Sequence, residues 1–254
     1  MIPLLVARNT FREVTRDRML AGVTLAGFAL LAITQVATPL ALGEGRRLTV
    51  DLSLSGISLL GLLVVLLVGT SLVAKEVERR TIYNLLARPI SRSSYLVGKW
   101  LGLSAALWAF AAQLGLALWI VVRARGATGH GVAIVESVYL SALELTVVTS
   151  LAVLFSALST PVLSALYTLG FFVVGQWSYD LRGFAVQFPT SMRAMLEITA
   201  NLVPNLPLFN MRTLASAGSP TSAHQLIVAT LYAAAYVACV LCLASAAFRS
   251  RDFK

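Results

Sequence analysis

Long apolar runs separated by short charged stretches set the plan of this chain. Residues 19–43, 52–74 and 101–122 carry no charged side chain. At ~1.5 Å per residue, each is long enough as a helix to cross a hydrocarbon layer of about 30 Å. A fourth run, 134–158, has the carboxylate Glu144 near its middle. Ser159, Thr160 and Pro161 then predict a tight turn, because proline opens helices well and interrupts their interiors. A fifth run follows at 161–179 and a sixth at 225–248. The pattern predicts an all-α polytopic membrane protein with six transmembrane helices in a single domain, 1–254. No stretch between the runs is long enough to bury a core of its own.

Composition agrees with that plan. Of the 254 residues, 58% are hydrophobic and only 12% charged, with a mean hydropathy of +0.82. A soluble domain of this length carries about twice that charge. The formal net charge is +9, which in a soluble protein would suggest nucleic acid. Here the basic residues flank the apolar runs and no aromatic residues interleave with them, so they read as topology signals and no nucleic-acid partner is expected. With six spans, the N-terminal segment, the 75–100 segment and the C-terminus share one side. That side holds 13 of the 20 Lys and Arg residues. It is therefore expected to be cytoplasmic, with both termini inside.

Residues 1–18 read as an interfacial helix. Leu4, Leu5, Phe11 and Val14 can face the apolar boundary while Arg8, Arg12 and Arg16 repeat every four residues. The charged and polar residues ahead of the first run, and its span length, argue against a cleaved signal peptide. The longest polar stretch, 180–224, is expected on the opposite side, with a short helix over 192–202 stopped by Pro204 and Pro207. Cys239 and Cys242 fall inside the sixth run, where one helical turn cannot host an unstrained disulfide, so they read as two buried small residues. The pairs Gly22 and Ala26, Ser53 and Gly56, Ser104 and Ala105, and Ala111 and Gly115 are of the kind that lets helices approach closely.

Catalytic patterns are missing. There is no GxxxxGK[ST] phosphate loop and no HExxH, and the two histidines, His130 and His224, lack ligands at metal spacing. No metal site is expected. Glu144 is the clear intramembrane polar candidate, since an unpaired charge at that depth costs at least ~2.5 kcal/mol. It reads either as a lining residue of a substrate path or as a structural carboxylate bonded to a neighbour such as Tyr167 or Thr168.

The stretch KEVERRTIYNLLARPISRSSYLVGKW, residues 75–100, stands apart by carrying both signs of charge. Its first part has helical spacing, with Val77, Thr81, Ile82, Leu85 and Leu86 forming a broad apolar face. Glu76 and Glu78 lie early, where the helix dipole favours them, and Glu76 can pair with Arg80. Arg88 precedes Pro89 and so leaves the helical region, ending the helix. Ser91 or Ser93 can cap a second helix that leads into the third run.

This segment resembles the one after the second span in permeases of the ABC-2 type exporter family. The residues that carry the likeness are Glu78, Arg79, Arg80, Thr81, Leu85, Leu86, Arg88, Pro89, Ile90, Ser91, Arg92, Tyr95, Leu96, Gly98 and Lys99. The FSALSTPVLSALYTLGFF hairpin and the FRSRDFK tail agree with it. The chain looks most similar to the branch containing permeases of nitrous-oxide-reductase maturation and gliding motility. The resemblance implies a permease without enzymatic activity, pairing with a separate ATPase that binds ATP and Mg. It also implies a complex of two permeases and two ATPases in a bacterial inner membrane. Residues 76–87 would correspond to the coupling helix resting in a groove of the ATPase, with Glu76, Glu78, Arg79, Arg80, Thr81, Ile82, Leu85 and Leu86 at the contact. Arg88, Pro89, Arg92, Gly98 and Lys99 would shape the segment. Residues 1–18, with Arg8, Arg12 and Arg16, would correspond to the elbow helix. The alternatives are a membrane scaffold that recruits an ATPase without moving a substrate, and an intramembrane enzyme built on Glu144. The substrate is not legible.

Overall fold

The structure is a computed structural model, described for residues 2–38, 44–71, 91–126, 128–185, 193, 195–197 and 201–249. The secondary structure of the described residues is helical, with no strand. Helix α1 spans Ile2–Thr15 and α2 spans Arg18–Ala37. The break between them is set by Asp17, whose carboxylate accepts from the Met19 N–H at 2.9 Å and caps α2. The first 18 residues therefore do not simply prolong the first span. Helix α3, Gly45–Val64, runs on into a π-helical turn, Val65–Gly69. Just past this turn, the Thr70 carbonyl accepts from Ser156 Oγ of the fourth apolar run at 2.7 Å.

Helix α4 spans Arg92–Ala124, 33 residues and ~50 Å long. Ser91 caps it, as its position before the run suggests, by accepting from Ser94 N–H. Helix α5, Gly131–Leu158, enters the turn at Ser159 and Thr160; α6, Pro161–Gln176, returns from it with proline in its first turn. Short helices α7 (Ser178–Ala185) and α8 (Arg212–Ala217) precede the last long helix, α9 (Ala223–Arg249).

Five of these helices are long and apolar enough to cross a membrane: α2, α3 with its π turn, α4, α5 and α9. The sixth expected span, 161–179, is met by a shorter helix: α6 has 16 residues and reaches only ~24 Å, yet it leads from the end that holds the α5–α6 turn toward the end where α9 starts. The apolar run does extend to Tyr179, but the helix breaks at Trp177. Residues from 203 onward then pack beside the end of α6. Val203, Leu206 and Phe209 are buried in the bundle, and the Pro204 carbonyl lies against Gly175 near the end of α6. The polar stretch 180–224 therefore does more than lie over one end: part of it completes the core.

Helix α5 is the axis of the bundle, buried along nearly its whole length. Helices α3, α4, α6 and α9 surround it. On α9 the buried face is Ala229, Ala233, Val237, Val240, Ala244 and Phe248, a mostly small-residue seam that lets its backbone approach. Cys239 and Cys242 lie off that seam; both are free, and both are exposed rather than buried. Among the small-residue pairs, Gly56 meets Leu30 and Gly115 meets Val138, whereas Gly22 meets nothing within 4 Å. The start of α4, the end of α3 and the α5–α6 turn gather at one end of the bundle, with α1 and the end of α9. The starts of α3, α5 and α9 gather at the other.

Candidate functional site

Glu144 sits at the centre of α5 and is buried. Its Oε2 accepts from Ser58 Oγ of α3 at 2.9 Å, and its Oε1 accepts from Gln176 Nε2 of α6 at 2.5 Å. One carboxylate thus ties three helices together. The local partners expected from sequence do not serve: Thr168 donates to the Ser164 carbonyl on its own helix, and Tyr167 is exposed and packs on Phe155. A signal for Gln176 does exist. Glu144 and Gln176 each lie sixteen residues from Thr160, so an antiparallel hairpin closing there brings them level. Ser58 has no such signal, because its pairing depends on how α3 rotates about its own axis.

Arg212 lies close by. Its Nη1 donates to Ser55 Oγ at 3.2 Å, one turn of α3 from Ser58, and its charge is felt at Glu144. Further bonds hold the 203–212 segment in place: Ser137 Oγ donates to the Met211 carbonyl, Ser178 Oγ to Asn205 Oδ1, and Asn205 N–H to the Tyr232 hydroxyl at 2.8 Å. Glu136, a second carboxylate within the fourth apolar run, was missed as a polar anchor. It accepts from Thr221 N–H at 2.6 Å and fixes the start of α9 beside α5. At the same end His130 packs its imidazole against Gly218, a left-handed residue (φ 77°) that closes α8. Enclosure of the ring first, and the charge of Arg46 second, hold His130 below the usual imidazole range.

The opposite end carries a second arrangement. Gly98 and Gly102 form a notch on α4 that receives α1. A Cβ on Gly98 would stand 2.6 Å from Val6 Cβ, and one on Gly102 would stand 2.6 Å from the Ala7 carbonyl oxygen. Lys99, between them, is buried and reaches Glu13 of α1 at 3.6 Å, with its ammonium 5.8 Å over the Tyr95 ring. Gly98 and Lys99 thus join α4 to α1. Thr10 and Val14 are buried in this joint with Phe11 packed beside them, while Leu4, Leu5, Arg8, Arg12 and Arg16 face outward. The apolar side of α1 is therefore divided between α4 and the exterior, rather than turned wholly to a membrane boundary.

This joint gives a direct test. Gly102→Ala places a methyl against backbone and should destabilise the protein by ~1–3 kcal/mol, read as a lower thermal midpoint in detergent. Gly22→Ala, in open space, should be neutral or stabilising. Equal midpoints for both variants would count against the notch.

Of the residues expected at an ATPase contact, Glu76, Glu78, Arg79, Arg80, Thr81, Ile82, Leu85 and Leu86 lie outside the described residues, as do Arg88 and Pro89. Arg92 opens α4.

Comparison with curated proteins gave no match. A family comparison did: the model of the ABC-2 family transporter proteins matches residues 4–253, so the chain belongs to that family and is an integral membrane subunit of an ABC transporter.

Proposed function

We propose that this chain is the permease of an ATP-driven exporter and moves substrate in response to hydrolysis by a separate ATPase subunit. The observation that carries the reading is the family match over 4–253 together with five span-length helices. Two permease copies and two ATPases make the working complex, in a bacterial inner membrane. The side bearing most of the arginines and lysines faces the cytoplasm. The finer likeness to permeases of nitrous-oxide-reductase maturation and gliding motility belongs to the same proposal.

In this reading 76–87 is the coupling helix. An apolar strip flanked by fixed charges is a ligand for a groove. Closure of the ATPases on ATP pushes that helix and biases the bundle between inward- and outward-open states. The second apolar run, the 75–100 segment and α4 are continuous in sequence, so a push on the segment acts on α3 and α4 together. Through Gly98, Gly102 and Lys99 it also reaches α1, the elbow helix of this scheme. Glu144 serves as a structural lock among α3, α5 and α6.

Affinity purification of the full chain from its native membrane tests the proposal. The expected result is co-elution of a nucleotide-binding subunit whose ATP hydrolysis depends on the permease. Recovery without such a subunit defeats it. A bound ATPase whose hydrolysis moves nothing would favour the scaffold.

A further inference from the structure

A groove of about 370 Å³ runs between α4 and α5 near the end of the bundle that holds the α4–α5 connection. Ala112, Leu116 and Trp119 line it from α4, and Ile134, Val135 and Val138 from α5. Leu116 and Val135 are about three-fifths exposed, so the groove opens outward from the bundle. From Trp119 to Ala112 it descends ~10 Å along α4. Its mouth is cationic. The Arg123 guanidinium lies 5.4 Å over the Trp119 ring, and Arg125 follows at the end of α4. Both arginines are exposed. Neither pairs with a carboxylate among the described residues.

We propose that this groove is a binding site for one anionic phospholipid, with an acyl chain between α4 and α5 and the phosphate at Arg123. The cation–π contact with Trp119 uses none of the guanidinium's five N–H donors, which leaves them for a phosphate. It also fixes the cation beside the opening instead of leaving it to sweep through solvent. A tryptophan one turn below an arginine is the arrangement expected where hydrocarbon meets headgroups. Below that level the lining is apolar and suits a chain. The charge at the mouth selects the occupant. A second copy seated on the same groove by two-fold symmetry would bring its own Arg123 against this one. The inference needs only that the chain lies in a membrane. It stands or falls separately from the coupling to an ATPase.

Native mass spectrometry of the full chain tests this, after release from nanodiscs holding equal phosphatidylglycerol and phosphatidylcholine. The wild type should retain one phosphatidylglycerol per chain in preference to phosphatidylcholine. Arg123→Ala should lower that retention about fivefold, the equivalent of ~1 kcal/mol for one arginine at an anionic surface. Ala112→Trp fills the groove and should remove the bound lipid while both arginines remain. Size-exclusion profiles matching wild type establish that each variant is folded. Equal retention of the two lipids overturns the proposal. So does undiminished retention in Ala112→Trp, which would mean phosphate held at the surface without the groove. A dimer that forms without retained lipid and is lost in Ala112→Trp would assign the groove to a second copy and also overturn it.

Discussion

Leu85→Asp is expected to abolish recovery of the ATPase with the permease while the permease still inserts. In the proposed coupling helix over 76–87, helical spacing sets Leu85 on one strip with Thr81, one turn away, and Val77, two turns away. A leucine buried in a partner's groove is worth ~1.5–3 kcal/mol. Replacing it with a carboxylate forfeits that and adds the desolvation of an unpaired charge. A few central residues dominate an interface of this kind, so a single change is enough to release the partner. Glu78→Arg reverses a fixed charge at the start of the same helix and should weaken binding or uncouple hydrolysis from transport. The two variants are compared with wild type by pull-down, by permease-dependent ATPase activity and by the amount of chain in the membrane fraction. Unchanged binding and transport in both would refute the coupling-helix assignment. Loss of the chain from membranes would trace the effect to folding instead.

The second large effect concerns Glu144. Glu144→Ala removes the acceptor shared by Ser58 and Gln176 and leaves a cavity on the bundle axis. A buried donor left without a partner costs ~1–3 kcal/mol in water-soluble proteins. Within membranes, interhelical bonds average nearer ~0.6 kcal/mol, because separated helices find other partners. The lost packing adds to either figure, so the net cost should be ~2–4 kcal/mol. Glu144→Gln keeps the size and one carbonyl acceptor, and should leave both assembly and transport close to wild type. Thermal midpoints in detergent read the first expectation and transport in reconstituted vesicles reads the second. If Glu144→Gln assembles normally but transports nothing, the carboxylate acts in the transport cycle. If Glu144→Ala is as stable as wild type, the three-helix lock is wrong.

The long helices were legible because backbone hydrogen bonds within lipid must close inside each segment. An apolar run of span length therefore declares its own structure. The starts of α4 and α6 were legible too, at Ser91 and Pro161, where local chemistry decides. The candidate site was legible only in part. Glu144 stood out by its charge, and Gln176 could have been found by counting from the turn. Ser58 and Arg212 could not, since the first depends on helix rotation and the second lies in a stretch that reads as a polar loop.

What the sequence determined alone was the all-helical class, the location of most spans and the two-sided distribution of charge. What only the tertiary structure decided was which face of each helix meets protein. It shortened α6 to 16 residues and turned 203–212 back into the core. It left Cys239 and Cys242 exposed and set Gly98 and Gly102 against α1. The physical reason is common to all of these. Lipid is as apolar as the interior of a helix bundle, so hydropathy marks the depth of a residue in the membrane and is silent about its neighbour.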